Sequence, residues 1–151
     1  MRRSTSVTAV DTAGHSLTTA DGQKYAFDRL VIPTGATPLN IPIPGAGLDG
    51  VFELRTLTDS IALRERLAPG GPLVVIGGGY IGLEVAATAR QLGHCVSVVE
   101  RLPRLMARVT SPQVSEFFLQ LHRSSGIDVR LNESVDEIIA DHVVTGVKLG
   151  S

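Results

Sequence analysis

The sequence predicts an α/β fold with a parallel sheet, preceded by a β-rich segment. Two observations carry this reading. An apolar run, Leu73–Ile76, leads directly into Gly77, Gly79 and Gly82, and then into a helical stretch that ends near Leu92 and is stopped by Gly93. A second apolar run, Cys95–Val99, follows and ends in Glu100. Strand, glycine turn, helix and strand in that order make a βαβ unit, whose strands are parallel and covered on both faces.

The remaining elements follow in chain order. Ser6–Val10, His15–Thr19 and Lys24–Phe27 read as extended, with Ala20-Asp21-Gly22 as the turn between the last two. Leu30-Val31-Ile32 is a short continuous apolar run that suits a strand buried on both faces, and it stops at Pro33-Thr34-Gly35. Residues 37–50 hold three prolines and three glycines and should be extended and connecting. The expected division is therefore residues 1–38, a linker over 39–50, and a second domain over 51–151.

Within that second domain, Thr56 with Asp59 makes a capping-box start. The helix behind it should bury Leu57, Ile61 and Leu67 and end near Pro69-Gly70-Gly71. Ser111-Pro112 is an N-cap with proline at the first helical position. Val114, Phe117, Phe118 and Leu121 then fall at helical spacing, Phe117 and Phe118 as core and flank, and Gly126 ends the run. Val129–Leu131 reads as a third strand and Val143–Leu149 as the edge of a β ribbon.

Composition narrows the function. At 151 residues the chain has room for one domain or parts of two. With 43% hydrophobic and 19% charged residues it can bury a core. A net charge of -1 gives no basic excess, so nucleic acid is not an expected partner. No apolar run reaches the roughly 18 residues of a membrane span, and no apolar stretch follows the opening MRRST as in a signal peptide. The single cysteine, Cys95, excludes an internal disulfide framework and fits a cytoplasmic, reducing setting. It is expected as a buried core thiol. His15, His94, His122 and His142 lack metal-ligand spacing, so no metal is expected and they read as surface or loop residues.

The glycine turn carries the chemistry. Gly77 permits a tight exit from the strand, Gly79 leaves the backbone open to a pyrophosphate, and Gly82 lets the helix lie close to the sheet. Amides opening the helix, at the positive end of its dipole, offer an anion site. Glu100, at the end of the next strand, stands where a carboxylate can accept both adenosine ribose hydroxyls. It also opposes a 2′-phosphate, which favours NAD(H), although Arg101 beside it leaves NADP(H) open. The bland alternative is a tight βα turn with no ligand, and it leaves Glu100 without a task.

Gly77-Gly78-Gly79-Tyr80-Ile81-Gly82-Leu83-Glu84-Val85-Ala86 resembles the NAD motif of the FAD-dependent NADH:ferredoxin reductases, the putidaredoxin and rhodocoxin reductase-like branch of the pyridine nucleotide-disulfide oxidoreductases. Tyr25–Pro38 resembles that family's strand ending in A-T-G-x-x-P, Ile41–Gly50 its linker, and Leu54-Arg55-Thr56 its L-R-T segment. Arg104–Phe118, RLMARVTSPQVSEFF, is the most specific part.

The resemblance implies a Rossmann-like three-layer ββα NAD-binding domain, with a parallel sheet, helices on one face and a β-meander on the other. The tail of an FAD-binding domain would precede it. Cofactors would be NAD(H) and FAD, and the partner a 2Fe–2S ferredoxin. Gly77, Gly78, Gly79, Tyr80, Ile81, Gly82, Glu84, Glu100 and Arg108 would face NAD, with Glu84 and Tyr80 placing the nicotinamide and no covalent catalyst. Thr34, Gly35 and Arg55 would face FAD, and Pro33 stands where the family has alanine. The chain resembles a portion of such an enzyme, and is expected neither to hold FAD tightly nor to turn over alone. Two other readings stay open: a catalytically inactive dinucleotide-binding module, and an NADH oxidase or nitrite reductase type of flavoprotein. Glu84 can also be read as a surface carboxylate, Tyr80 as packing against the linker, and Arg101, Arg104 and Arg108 as a solvated face. Open sheet edges would favour a homo-oligomer.

Overall fold

The computed structural model describes residues 1–39 and 41–150; Asn40 of the expected linker and the final Ser151 lie outside them. The chain divides into two compact units, Met1–Ala36 and Thr37–Ser151.

The first unit is an antiparallel meander of β1 (Val7–Asp11), β2 (Ser16–Thr19) and β3 (Lys24–Ala26). Gly22 adopts φ +80° in the turn between β2 and β3, a conformation glycine reaches without strain. Leu30-Val31-Ile32 forms no strand, and Val31 and Ile32 are 81% and 66% exposed. A strand buried on both faces needs a sheet to pair with and layers to cover it, and no described strand pairs with this run.

The second unit is α/β. Its elements are α1 (Leu57–Leu67), β4 (Pro72–Ile76), α2 (Tyr80–Gln91), β5 (Cys95–Glu100), α3 (Pro112–Ser124), β6 (Asp128–Leu131), β7 (Val135–Asp141) and β8 (Val143–Leu149). β4, β5 and β6 form a parallel sheet in that order, and β7 and β8 an antiparallel ribbon. Valines dominate the central strand, where Val96, Val98 and Val99 are buried. β-branched residues suit such a two-sided environment.

The core joins β4, β5 and β6 to one face each of α2 and α3, through Val75, Leu83, Ala86, Ala89, Leu119 and Val129. Small residues let α2 lie low on the sheet. A Cβ at Gly82 would run into the carbonyl oxygen of Gly77 and lie 3.1 Å from Val75 Cγ1. The helix ends as Gly93 turns to φ +93°.

Further expectations are corrected. α1 buries none of its residues, and Leu57 and Ile61 are 76% and 40% exposed. Its Leu63 and Leu67 instead face a groove shared with α2. On α3 the buried residues are Ser115, Leu119 and His122, while Val114, Phe117 and Leu121 are exposed and Phe118 is half-buried. The inward stripe includes two polar residues because both are hydrogen-bonded. Ser115 Oγ donates to Leu105 O at 2.6 Å, and His122 Nδ1 and Nε2 lie 2.8 and 3.3 Å from Phe118 O and Leu83 O.

His94 is buried too, its Nδ1 3.1 Å from Gly71 O, whereas Cys95, at the outer end of β5, is exposed. Finally, residues 43–50 are a series of turns rather than an extended connector. Gly45, at φ +85°, lies against Ile138, whose N–H donates to Pro44 O at 2.9 Å, so this stretch packs on β7.

Candidate functional site

The site grows from the carboxyl ends of β4 and β5, where ligands of open α/β sheets bind. β4 ends at Ile76 and the chain reverses at Gly77, whose φ of +104° only glycine adopts freely. Its N–H donates to Val99 O at 2.8 Å, continuing the sheet by one residue. Gly78 is buried. Its N–H donates to Glu100 Oε2 at 2.7 Å, and its carbonyl accepts from Met106 N–H at 2.9 Å.

In a trans peptide the C=O and the following N–H point opposite ways. Anchoring the Gly78 carbonyl on Met106 therefore turns the Gly79 N–H outward. Gly79 is the N-cap of α2 with no side-chain cap, and no acid lies in the first turn. The N–H groups of Gly79, Tyr80 and Ile81 have no acceptor among the described residues. A Cβ built on Gly79 meets nothing within 4 Å. Outward amides, the positive end of a helix and clear space above them fit a diphosphate.

Glu100 is half-buried at the end of β5. Its second oxygen, Oε1, accepts from Leu102 N–H at 2.8 Å. A carboxylate offers about four lone-pair sites, so capacity for two hydroxyl donors remains.

Behind the turn, the loop over 101–110 is held by Arg104. Its guanidinium donates to Ala107 O at 2.7 Å, Thr110 O at 2.9 Å and Ser115 Oγ at 2.8 Å. That strut supports Met106, a non-glycine residue at φ +49°. Arg104 is thus a structural tie rather than part of a solvated face, whereas Arg101 and Arg108 are exposed.

Among the expected residues, Gly77, Gly78, Gly79, Gly82 and Glu100 come together in one hydrogen-bonded and packed unit. Tyr80 and Ile81 are 52% and 53% exposed. Ile81 and Glu84 line a groove of about 680 Å³ between α2 and α1, walled by Leu63, Leu67 and Val85. Glu84 is exposed there, one helical turn away from the amides. Thr34 and Gly35 lie in an exposed segment of the first unit without helix or strand. Arg55 is in the second unit, where its N–H donates to Asp59 Oδ2 at 3.0 Å.

Among the residues that hold the turn from behind, the sequence suggests no role for Leu102, Met106 and Ser115 and a solvated face for Arg104. Leu102 and Met106 act through main-chain amides, which residue identity does not signal, and Arg104 and Ser115 through side chains whose partners are set by the folded loop. No group of three or more His, Cys, Asp or Glu among the described residues is placed to hold a metal, and none of the described helices is long and apolar enough to cross a membrane.

A parallel sheet with an open glycine turn and an acid on the adjoining strand is the arrangement of a Rossmann-like fold. The sequence model of the pyridine nucleotide-disulphide oxidoreductases matches residues 1–151, and the chain belongs to that family. In particular, it is 42% identical over 135 residues to the ferredoxin--NAD(+) reductase component of the p-cumate 2,3-dioxygenase system of Pseudomonas putida, covering 89% of this chain and 34% of that one. Among solved structures it is similar to the ferredoxin reductase for the CYP199A2 system from Rhodopseudomonas palustris, with a TM-score of 0.78, 42% identity, and 96% and 36% of the two chains covered. It is similar also to the reductase in a covalent putidaredoxin reductase–putidaredoxin complex, with a TM-score of 0.73, 38% identity, and again 96% and 36% covered. The chain spans about a third of the length of these relatives.

Proposed function

We propose that this chain is the NAD(H)-binding part of an FAD-containing oxidoreductase that draws on NADH to reduce a 2Fe–2S ferredoxin. The observation that carries the reading is the open N-terminus of α2, with its outward amides beside the Glu100 carboxylate. The relatives named as ferredoxin reductases support the reaction class.

Bound NADH would supply a hydride, for the flavin of the whole protein, and the chemistry would belong to the cofactors. This chain's residues bind and orient. The Gly79, Tyr80 and Ile81 amides would take the diphosphate, with Gly77, Gly78 and Gly82 shaping the turn. Glu100 would take the adenosine ribose and oppose a 2′-phosphate, and Arg108 would lie on the adenosine side. Glu84 and Tyr80, farther along α2, would place the nicotinamide. Thr34, Gly35 and Arg55 would meet FAD once the rest of its site surrounds them.

Isothermal titration of the chain with NADH and NADPH tests the reading. The expected result is saturable NADH binding, at least about tenfold tighter than NADPH, the discrimination that removing one like-charge clash gives. Absence of heat with either nucleotide on folded protein would sink it. In the whole protein, NADH-driven reduction of a 2Fe–2S ferredoxin tests the partner.

A further inference from the structure

We propose that Glu100 is a positioning residue for the diphosphate turn, in addition to any contact it makes with the sugar. The proposal rests on the dinucleotide reading above and concerns a second task of the same carboxylate.

Both Glu100 oxygens are engaged by main-chain N–H groups, Oε2 by Gly78 at 2.7 Å and Oε1 by Leu102 at 2.8 Å. These distances are in the range of charge-assisted bonds, which are roughly twice as strong as neutral ones. The carboxylate therefore bridges two segments, the turn over 77–79 and the start of the loop over 101–110. Contact between them is close. A Cβ on Gly78 would lie 3.3 Å from both Glu100 Cβ and Oε2, and 2.5 Å from Leu105 Cδ2.

Two further ties hold the same turn, Gly77 N–H on Val99 O and Met106 N–H on Gly78 O, at 2.8 and 2.9 Å. All three contacts come from residues between 99 and 106. Glu100 supplies the sole side chain among them, and it holds the Gly78 N–H inward, leaving the outward position to Gly79. Without the carboxylate that amide is buried with no acceptor, a costly state that the turn escapes by rotating the Gly77–Gly78 peptide. Rotation there carries the Gly79 amide away from the diphosphate.

The tasks separate with nucleotides that lack the sugar hydroxyls. Binding of ADP and of 2′,3′-dideoxy-ADP to the whole chain is measured for the native protein, Glu100→Ala and Glu100→Gln, alongside hydrogen exchange of the Gly78 amide in the nucleotide-free state. A turn clamp predicts that Glu100→Ala weakens 2′,3′-dideoxy-ADP by about tenfold, the scale of one lost hydrogen bond to a charged group. It also predicts faster Gly78 exchange. Glu100→Gln, which keeps one acceptor and nearly the same volume, falls between on both measures and serves where the alanine variant does not fold. Weaker ADP binding with unchanged 2′,3′-dideoxy-ADP binding and unchanged Gly78 exchange would overturn the proposal and leave Glu100 as a sugar contact alone. If the native protein bound neither nucleotide, the dinucleotide reading would fall by itself, and the exchange comparison would still decide whether the clamp exists.

Discussion

The carbonyl oxygen of Gly77 occupies the place where Gly82 would carry a Cβ. The turn and the helix it opens are therefore in van der Waals contact through two glycines, five residues apart. Gly82→Ala must push α2 off β4, and overpacking of this kind costs about 1–3 kcal/mol. Chemical denaturation should show a lower midpoint with an unchanged slope. An equally stable Gly82→Ala protein would contradict the close approach.

Gly79→Ala should behave in the opposite manner. Its methyl enters open space, so stability should fall by no more than about 1 kcal/mol, the cost of alanine at an N-cap. NADH affinity should drop at least about tenfold, because the methyl occupies the approach to the diphosphate. The pair of substitutions separates a glycine needed for packing from one needed for a ligand, with titration and melting run side by side.

Arg104 ties three acceptors, Ala107 O, Thr110 O and Ser115 Oγ, with one planar group. Arg104→Ala should destabilise the protein by about 2–3 kcal/mol, since hydrogen bonds to charged groups are worth 1.5–3 kcal/mol and here the partners are half-buried. Arg104→Lys should recover little, because an ammonium lacks the fork geometry that spans the three. Urea melts of both variants check the ranking.

Asp59 closes the capping box at the start of α1. Its carboxyl is held below its ordinary value, first by the Thr56 N–H at 2.7 Å, then by the Thr56 hydroxyl and the Arg55 N–H. A depressed folded value means that the charged form is favoured by folding. Its contribution is complete above the unfolded value of about 4 and fades as pH falls through the lower folded value. Amide protection in the first turn of α1 should thus decline below about pH 4 in the native protein. Asp59→Asn should show weaker protection at neutral pH and a flatter acid limb.

Glu84 is exposed on the groove side of α2, so nothing in the fold depends on it. Glu84→Ala should leave stability within about 0.5 kcal/mol. In the whole protein the same change should slow reduction of the flavin by NADH. Unaltered reduction in a stopped-flow trace would remove Glu84 from the proposed nicotinamide contacts.

The elements around the turn were legible because their signals are local. Leu73–Ile76, the glycine spacing, Cys95–Val99 and the Ser111-Pro112 cap each lie inside one short window, and the capping box of Thr56 and Asp59 forms as its spacing implies. The burial of α3 was not legible. Its apolar stripe, Val114, Phe117 and Leu121, points outward, one position away from the inward set of Ser115, Leu119 and His122. Hydrophobic periodicity cannot weigh a serine and a histidine whose cost of burial is offset by carbonyls on other segments. For the same reason Leu30–Ile32 looked like a core strand, since an apolar run does not disclose whether neighbours exist to cover it. β7 carries no local signal, because Val135–Asp141 mixes acids with apolar residues and is defined only by its pairing with β8.

Met106 has a bearing on any attempt to retarget the nucleotide preference. The loop that follows Glu100 forms the sugar side of the proposed site, and through the Met106 amide it also grips the Gly78 carbonyl. Edits made there to admit a bulkier adenosine, such as shortening the acid or re-laying residues 101–106, would be felt at the far end of the ligand. Redesign on this scaffold is consequently a multi-residue problem, in which a new acceptor for the phosphate-side backbone has to accompany every new donor for the sugar.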